Sequence, residues 1–595
     1  MKKIQQNLID FLDKTISTRR DENLITVIPL RCGLGKSTYL ESLIERRISD
    51  DNSNGMLIIT DSIERLGKFL SNNQDKISML TQENISEEIQ IQGYKPILLM
   101  STQRFFNLTK DEITSFLKYR DGLRTEIIFD EKPYLYEQIK ITIESFNNID
   151  TALQQFVDDT ANQTEKEWCV QEWQKLRHHI QKQIVYYENL ETERNHFYLY
   201  HKDSWDALTE DDERFFKFLK SKKNALNRFH SDIYKNILAI QQLITNGAIF
   251  SCNKRSSGKY DNFFTILMDN TKNLRNMDAK VFVFDGTADI STMYDAEFID
   301  LVDCNEFKPS LKNLIINCVN ISTSKNEICN NRSKSRAICN AIIKFIETCN
   351  YDETPVVFTY KEIEKNFSKY QTEHFGNIKG KNDYISNHNI IQVGLNRFPP
   401  LYYFLQRTIL DDTEFEMLKD WATSIEENIR FFTRALSLNS TVNSETKIPN
   451  FDIYGIDFDL LEDIEQNLFR SAIRDIRNEQ KVNYTIFFNT TVYEDLIGVL
   501  DWRYGNLGAT INIIDTPLEL QILKTEERNT SRKTHAQRII AWIKQLPSGT
   551  EFKLKTMLDE LGLTSKQFDK VKKSNSSIAN LFKKMSTGKR GYYKR

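Results

Sequence analysis

The stretch "PLRCGLGKST", residues 29–38, carries the residue types that a bound phosphate needs from a protein. Gly33 and Gly35 let backbone N–H groups approach phosphate oxygens, Lys36 has the reach for β and γ phosphates, and the Ser37 hydroxyl, with Thr38 beside it, is a ligand for Mg2+. Leu30 stands where the pattern GxxxxGK[ST] opens with glycine, so the run departs from the pattern at its entrance and keeps it where contacts are made. Alone, such a run also fits a plain strand-to-helix turn. "TEIIFDEKPYL" supplies a partner: an apolar, β-prone run ends in Asp130 and Glu131, one carboxylate for a Mg2+ shell and the next for polarising a water. The two stretches together point to nucleoside-triphosphate hydrolysis.

Three further stretches bear on the same chemistry. "LLMSTQRFF" puts Thr102 and Arg104 at a strand end, either as a cap before core Phe105 and Phe106 or as a contact to a nucleic-acid backbone. "VFVFDGTAD" brings Asp285, Thr287 and Asp289 to another strand end, a hydroxyl and carboxylate cluster suited to sensing nucleotide state. In "IEQNLFRSAIRDIR", Gln466, Arg470, Arg474 and Arg477 recur at helical spacing, which predicts one shared helix face. That face is either a solvated basic surface or a set of arginines offered across a cleft to γ-phosphate charge.

These residues need a sheet whose strand ends converge. Short apolar runs ("NLITVIPL", "GMLIITDS", "YKPILLMST", "TEIIFDE") alternate with helical text such as "KSTYLESLIERRI", as in a parallel α/β sheet with active residues at strand C-terminal ends. From 135 to 272 the text turns long, charged and aromatic with few glycines or prolines, and predicts a helical insertion. Strand text returns at "AKVFVFDG", and a second α/β pattern follows through "TPVVFTY", "HNIIQVGL" and "NYTIFF". Residues 407–455 predict an irregular excursion and 517–534 a polar linker.

With 595 residues the chain exceeds one folding unit, and its 40% hydrophobic and 27% charged residues are those of a globular protein. Its apolar runs fall short of the roughly 18 residues of a membrane span, and the charged N-terminus lacks a signal-peptide core, so a cytoplasmic protein without membrane attachment is expected. Eight cysteines without a CxxC pair argue against a zinc ribbon or a disulfide framework. The net charge of −3 conceals an asymmetry, because residues 531–595 hold 16 Lys or Arg against four acids. That tail calls for a polyanion. Richness in Asn, Ile and Lys is the composition of an AT-rich bacterial, phage or mobile-element genome.

Taken in order, these stretches resemble the motif series of superfamily 1 and 2 helicases of the DExx-box (DEAD/DEAH-like) kind. "PLRCGLGKST" resembles motif I, "LLMSTQRFF" motif Ia, "IIFDEKP" motif II, "DGTAD" motif III, "VVFTYK" motif IV, "GKNDYISNHNIIQVGLNRF" motif V and "QNLFRSAIR" motif VI. The sequence departs from the series in Leu30, in DEKP for DEAD or DEAH, in Phe469 for a motif VI glycine, and in a second arginine one place late, which leaves Arg470 and Arg474 both as candidates for the arginine finger. The resemblance implies an α/β protein of two RecA-like lobes, ATP and Mg2+ as cofactors, Glu131 as catalytic base, Gln466 beside the finger, and nucleic acid, DNA in this reading, as partner. It implies lobe 1 at 1–134 plus 273–320, the insertion at 135–272, and lobe 2 at 321–516. Iron-sulfur relatives carry cluster cysteines between motifs Ia and II, where this chain has none.

Residues 535–595 resemble a winged helix, three helical patterns followed by a basic hairpin "STGKRGYYKR", with Lys566, Lys570, Lys572, Lys573, Lys589 and Arg590 as candidate phosphate contacts. An ATP-dependent helicase or translocase is the expectation. A P-loop motor or switch ATPase without unwinding, and a non-catalytic initiator-type DNA-binding protein, are the alternatives.

Overall fold

The computed structural model describes residues 6–397, 454–515 and 539–594, apart from 19–23, 50–53, 61–66, 68–75, 81–94, 190–195, 201–208, 227–232, 255–259, 379–382, 588–591 and shorter stretches elsewhere. The expected excursion and linker lie outside the described residues, apart from the last residues of the former. The chain divides into two units, residues 1–335 with 350–515, and residues 336–349 with 516–595.

The first sheet of the larger unit is built from β1 (Ile25–Ile28), β2 (Gly55–Thr60), β3 (Ile77–Leu80), β4 (Ile97–Ser101), β5 (Lys118–Tyr119) and β6 (Gly122–Phe129). After an insertion holding β7 (Tyr136–Thr142), β8 (His196–Tyr200), β9 (Ala248–Lys254) and β10 (Tyr260–Asp269), the sheet is completed by β11 (Lys280–Phe284) and β12 (Ile299–Leu301). Its order is β12-β1-β11-β6-β2-β4-β3, all parallel, with β5 antiparallel to β6 at the side. Helices cover both faces, so the strands are largely apolar, with Thr26, Ser78, Arg124 and Glu126 among the buried polar exceptions. Val27, Leu57, Ile59, Ile127 and Val283 go to one face, and Ile28, Met56, Ile58, Ile128 and Phe284 to the other. The Gln6–Ser17 helix lays Leu8, Leu12 and Ile16 on the second face at a spacing of one turn.

A second parallel sheet follows, of β13 (Leu314–Asn320), β14 (Val356–Thr359), β15 (Gln371–His374), β16 (Asn389–Val393), β17 (Val482–Phe488) and β18 (Thr510–Ile514), in the order β15-β14-β16-β17-β13-β18. Two parallel α/β sheets are thus present as the sequence implies. The expected boundary at 320 is corrected: β13 pairs with β17 and β18, so the chain passes to the second sheet before residue 314. Its core is lined by the Tyr454–Leu468 and Glu494–Tyr504 helices through Leu461, Ile464, Leu468, Leu496 and Leu500. Ile290 from beyond β11 belongs to that same cluster and Cys32 packs on it, so the two sheets share apolar contact.

The insertion is not purely helical as expected. Helices at Ile143–Asp159, Gln163–Asn189, Glu210–Ser221 and Ile233–Asn246 pack with an antiparallel sheet β7-β10-β9-β8. Aromatic residues favour strands as much as buried helix faces, and runs such as "HFYLY" and "YDNFFTILMD" took the strand option. Trp173, Phe146, Phe215, Phe216, Phe250 and Phe264 give this module its own core.

In the smaller unit, helices Leu554–Leu561 and Ser565–Ser574 surround a core of Ile539, Met557, Phe568 and Phe582. β20 (Tyr592–Lys594) pairs antiparallel with β19 (Glu551–Lys553), and residues 588–591 of the expected basic hairpin lie outside the described residues. Phe552 against Tyr593, a cross-strand aromatic pair with ring centroids 6.0 Å apart, supports the pairing.

Leu30 is fully buried in the face cluster that also holds Tyr39 and Phe284. Leu30→Ala is expected to cost about 2–5 kcal/mol, and Leu30→Gly, which restores the glycine pattern, at least as much, in chemical denaturation against the unaltered chain.

Candidate nucleotide-binding site

β1 delivers its last residues into a turn, and the Lys36–Ser49 helix begins directly after Gly35. Gly33 and Gly35 have φ of +87° and +101°, a left-handed backbone that side chains resist. The helix opens with Tyr39 N–H donating to the Gly35 carbonyl at 2.8 Å, which leaves the first-turn N–H groups pointing out of the helix start. Lys36, Ser37 and Thr38 are half-buried there. Gly33 is also pressed from the second sheet's side: a Cβ on it would lie 2.4 Å from the Arg474 carbonyl oxygen.

In the first sheet β11 lies between β1 and β6, so three chemistry-bearing stretches end side by side at the C-terminal edge. Asp130 closes β6 in a buried position, its N–H donating to the Ile59 carbonyl at 2.9 Å, and Glu131 is half-buried next to it. After β11, Asp285 Oδ1 accepts from the Thr287 N–H (2.9 Å) and hydroxyl (2.8 Å), and Oδ2 from Tyr294 Oη (2.9 Å). Burial, then the Asp285 carboxylate, holds the Tyr294 hydroxyl well above its usual pKa, so it stays a donor.

Each of these ends meets the helices of the second sheet. Lys132 Nζ donates to both oxygens of Glu462 (2.5 and 2.8 Å) and to Ser291 (3.0 Å), and the Thr287 hydroxyl lies 3.2 Å from Glu462 Oε1. Arg503, with 1% of its side chain exposed, grips Glu465 through Nε (2.7 Å) and Nη2 (3.0 Å) and donates from Nη1 to Asp289 at 2.5 Å. Burial disfavours its charge, but Glu465 and then Asp289 outweigh that and raise its pKa. Arg31 of the loop lies 3.7 Å from the same Asp289 oxygen. Its pKa is lowered, first by burial and then by Arg503.

The shared face expected for Gln466, Arg470, Arg474 and Arg477 does not form. The helix ends at Leu468, where the Ser471 hydroxyl donates to the Leu468 carbonyl (2.7 Å) and the Ala472 N–H turns to the Asn387 carbonyl (2.9 Å). A single 3-10 turn, Ala472–Arg474, follows. Gln466, Arg470 and Arg474 are half-buried, while Arg477 is exposed and paired with Asp475 at 3.1 Å.

Of the other candidates, Thr102 is buried at the start of a helix that Ser101 caps, with Phe105 packed on Phe129. Arg104 is half-buried, and burial lowers its pKa while Glu112 opposes. Lys572 is half-buried; the side chains of Lys566, Lys570 and Lys573 and all of Lys589 and Arg590 lie outside the described residues. Arg31, Lys132, Glu462, Glu465 and Arg503 were not singled out by sequence. Glu462 and Glu465 lie in one helix text with Asp457, Asp459 and Asp463, so their residue types alone did not set them apart.

No helix among the described residues is long and apolar enough to cross a membrane. No protein-family profile matches the sequence, and no curated protein matches it. Among solved structures, the chain is similar to S. tokodaii Xpd4, at 13% identity and a TM-score of 0.44 over 86% of this chain and 99% of that one. It is similar to an XPD helicase at 12% and 0.43 (87% and 100% covered), and to the DUF1998 helicase MrfA bound to DNA and AMPPNP at 9% and 0.31 (92% and 57% covered).

Glu465→Gln keeps the shape and removes the charge that compensates a buried guanidinium. It is expected to cost about 3–5 kcal/mol in denaturant unfolding of the larger unit.

Proposed function

We propose that this protein is an ATP-driven motor on nucleic acid, a helicase or translocase acting on DNA. The observation that carries the reading is the placement of the Gly33–Ser37 loop and the Asp130–Glu131 pair on strands of one parallel sheet, a single strand apart, with the second sheet's Arg474 backbone against Gly33.

In this reading Lys36 and the first-turn N–H groups hold the β and γ phosphates. The Ser37 hydroxyl and the Asp130 carboxylate are hard oxygen donors that fit Mg2+, which when bound would neutralise charge on the phosphate oxygens. Glu131 accepts the proton of the attacking water. Arg474 is the better finger candidate of the two, since its backbone lies against Gly33, and Arg470 four residues earlier is the alternative. Asp285, Thr287 and Asp289 pass the state of the phosphate site to the second sheet, because Thr287 and Asp289 contact Glu462 and Arg503. The excess of 16 basic over four acidic residues in 531–595 supports a nucleic-acid contact by the winged-helix-like tail.

Lys36→Ala and Glu131→Gln are each expected to abolish ATP hydrolysis stimulated by nucleic acid, measured with single-stranded DNA, duplex DNA, RNA and none. Normal turnover in both variants would overturn the reading. Stimulated hydrolysis without separation of a labelled duplex would identify a translocase or switch that does not unwind.

A further inference from the structure

Three buried guanidiniums occur among the buried polar residues described, those of Arg31, Arg124 and Arg503. Two are fully accounted for. Arg124 donates to the carbonyls of Lys95, Pro96, Phe116 and Lys118, and Arg503 binds Glu465 through two nitrogens and Asp289 through the third. Arg31 differs. It is 6% exposed, and its Nη1 has no hydrogen-bond partner among the described residues. Its contact to Asp289 is 3.7 Å, too long for a hydrogen bond, to an oxygen that Arg503 already holds at 2.5 Å. Arg503 cannot yield that oxygen easily, being fixed from behind by Glu465.

A guanidinium remains charged at any working pH, and burial without full hydrogen bonding is costly. Arg31 therefore stands under-compensated two residues before Gly33, inside the very loop whose backbone suits a phosphate. We propose that Arg31 is a further nucleotide-binding residue, whose free Nη1 takes a phosphate oxygen of the bound nucleoside triphosphate. The inference rests on the loop being a phosphate site. Phosphate would give Arg31 the charge-assisted bond it lacks, and would draw it from Asp289, leaving that carboxylate to Arg503 alone. Occupancy of the loop would thereby alter the ion pair that joins the two sheets.

The test uses the full chain with a fluorescent ATP analogue and Mg2+, together with thermal melting with and without nucleotide. Arg31→Met fills the same space without charge, so its melting temperature without nucleotide is expected to equal or exceed that of the unaltered chain. Its affinity for the analogue is expected to fall about tenfold or more, the loss of one hydrogen bond to a charged group, and its nucleotide-induced rise in melting temperature to shrink accordingly. Lys36→Ala separates the two claims. If Lys36→Ala loses binding while Arg31→Met keeps it, the role of Arg31 is overturned and the phosphate loop stands. If both bind normally, the loop reading falls as well. A drop in the nucleotide-free melting temperature of Arg31→Met would make Arg31 structural and also overturn the proposal. Failure of Arg31→Met to fold has the same meaning, and Arg31→Lys, which keeps the charge in the loop, is the second variant: it is expected to retain part of the affinity for the analogue that Arg31→Met loses, and an affinity no better than that of Arg31→Met overturns the role.

Discussion

The Asp289 carboxylate lies between guanidiniums from both sheets, Arg31 from the loop after β1 and Arg503 from the Glu494–Tyr504 helix, and the larger unit depends on that meeting. Desolvated charges tolerate little stretching, since a buried ion deprived of its partner costs several kcal/mol. Arg503 escapes that cost only while Glu465 and Asp289 both stay in place. The connection after β11 and the two helices of the second sheet must therefore hold one arrangement or change to another as a set. Apolar packing of Ile290 and Cys32 on the second core reinforces the contact but is less directional.

The Tyr454–Leu468 helix concentrates these links. Glu462 and Glu465 sit three residues apart, nearly one turn, on the side that meets the first sheet. Glu462 takes Lys132 from the end of β6 and Thr287 from beyond β11, and Glu465 reaches Asp289 through Arg503. Just past the helix end, the Arg474 carbonyl meets Gly33. All three strand ends that carry candidate chemistry are thus mechanically joined to one helix and the turn that follows it. Two sheets linked in this way could pass a change at one strand end to the other sheet without a separate device.

The parallel strands were legible because burial on both faces makes their runs largely apolar, as "LITVI" and "IIF" show. The phosphate-like loop and the Asp130–Glu131 end were legible because their chemistry is local in sequence. What escaped detection is long-range or ambiguous. Arg503 lies in no recognisable motif, and its importance comes from Glu465 and Asp289, 38 and 214 residues away. The insertion's strands were missed because aromatic runs suit a helix face and a strand equally. The arginine series after Gln466 failed through Ser471, whose hydroxyl competes for the helix carbonyl that a longer helix would need.

Leu30 shows how local patterns and packing trade places. A glycine at the loop entrance would let another backbone come close, yet Leu30 turns its side chain wholly into the core and leaves only its main chain at the turn. The close approach is supplied from the other side, by Gly286 at the end of β11, where a Cβ would sit 3.3 Å from both the Leu30 carbonyl oxygen and the Cys32 nitrogen. That distance is tighter than ordinary van der Waals contact, so β11 can run this near to the loop because residue 286 has no side chain. The approach also brings Thr287 and Asp289, one and three residues further on, to the edge where the loop, Glu462 and Arg503 meet. The glycine missing from the entrance is thus matched by one in the turn just past the neighbouring strand, and Leu30 is free to serve the core.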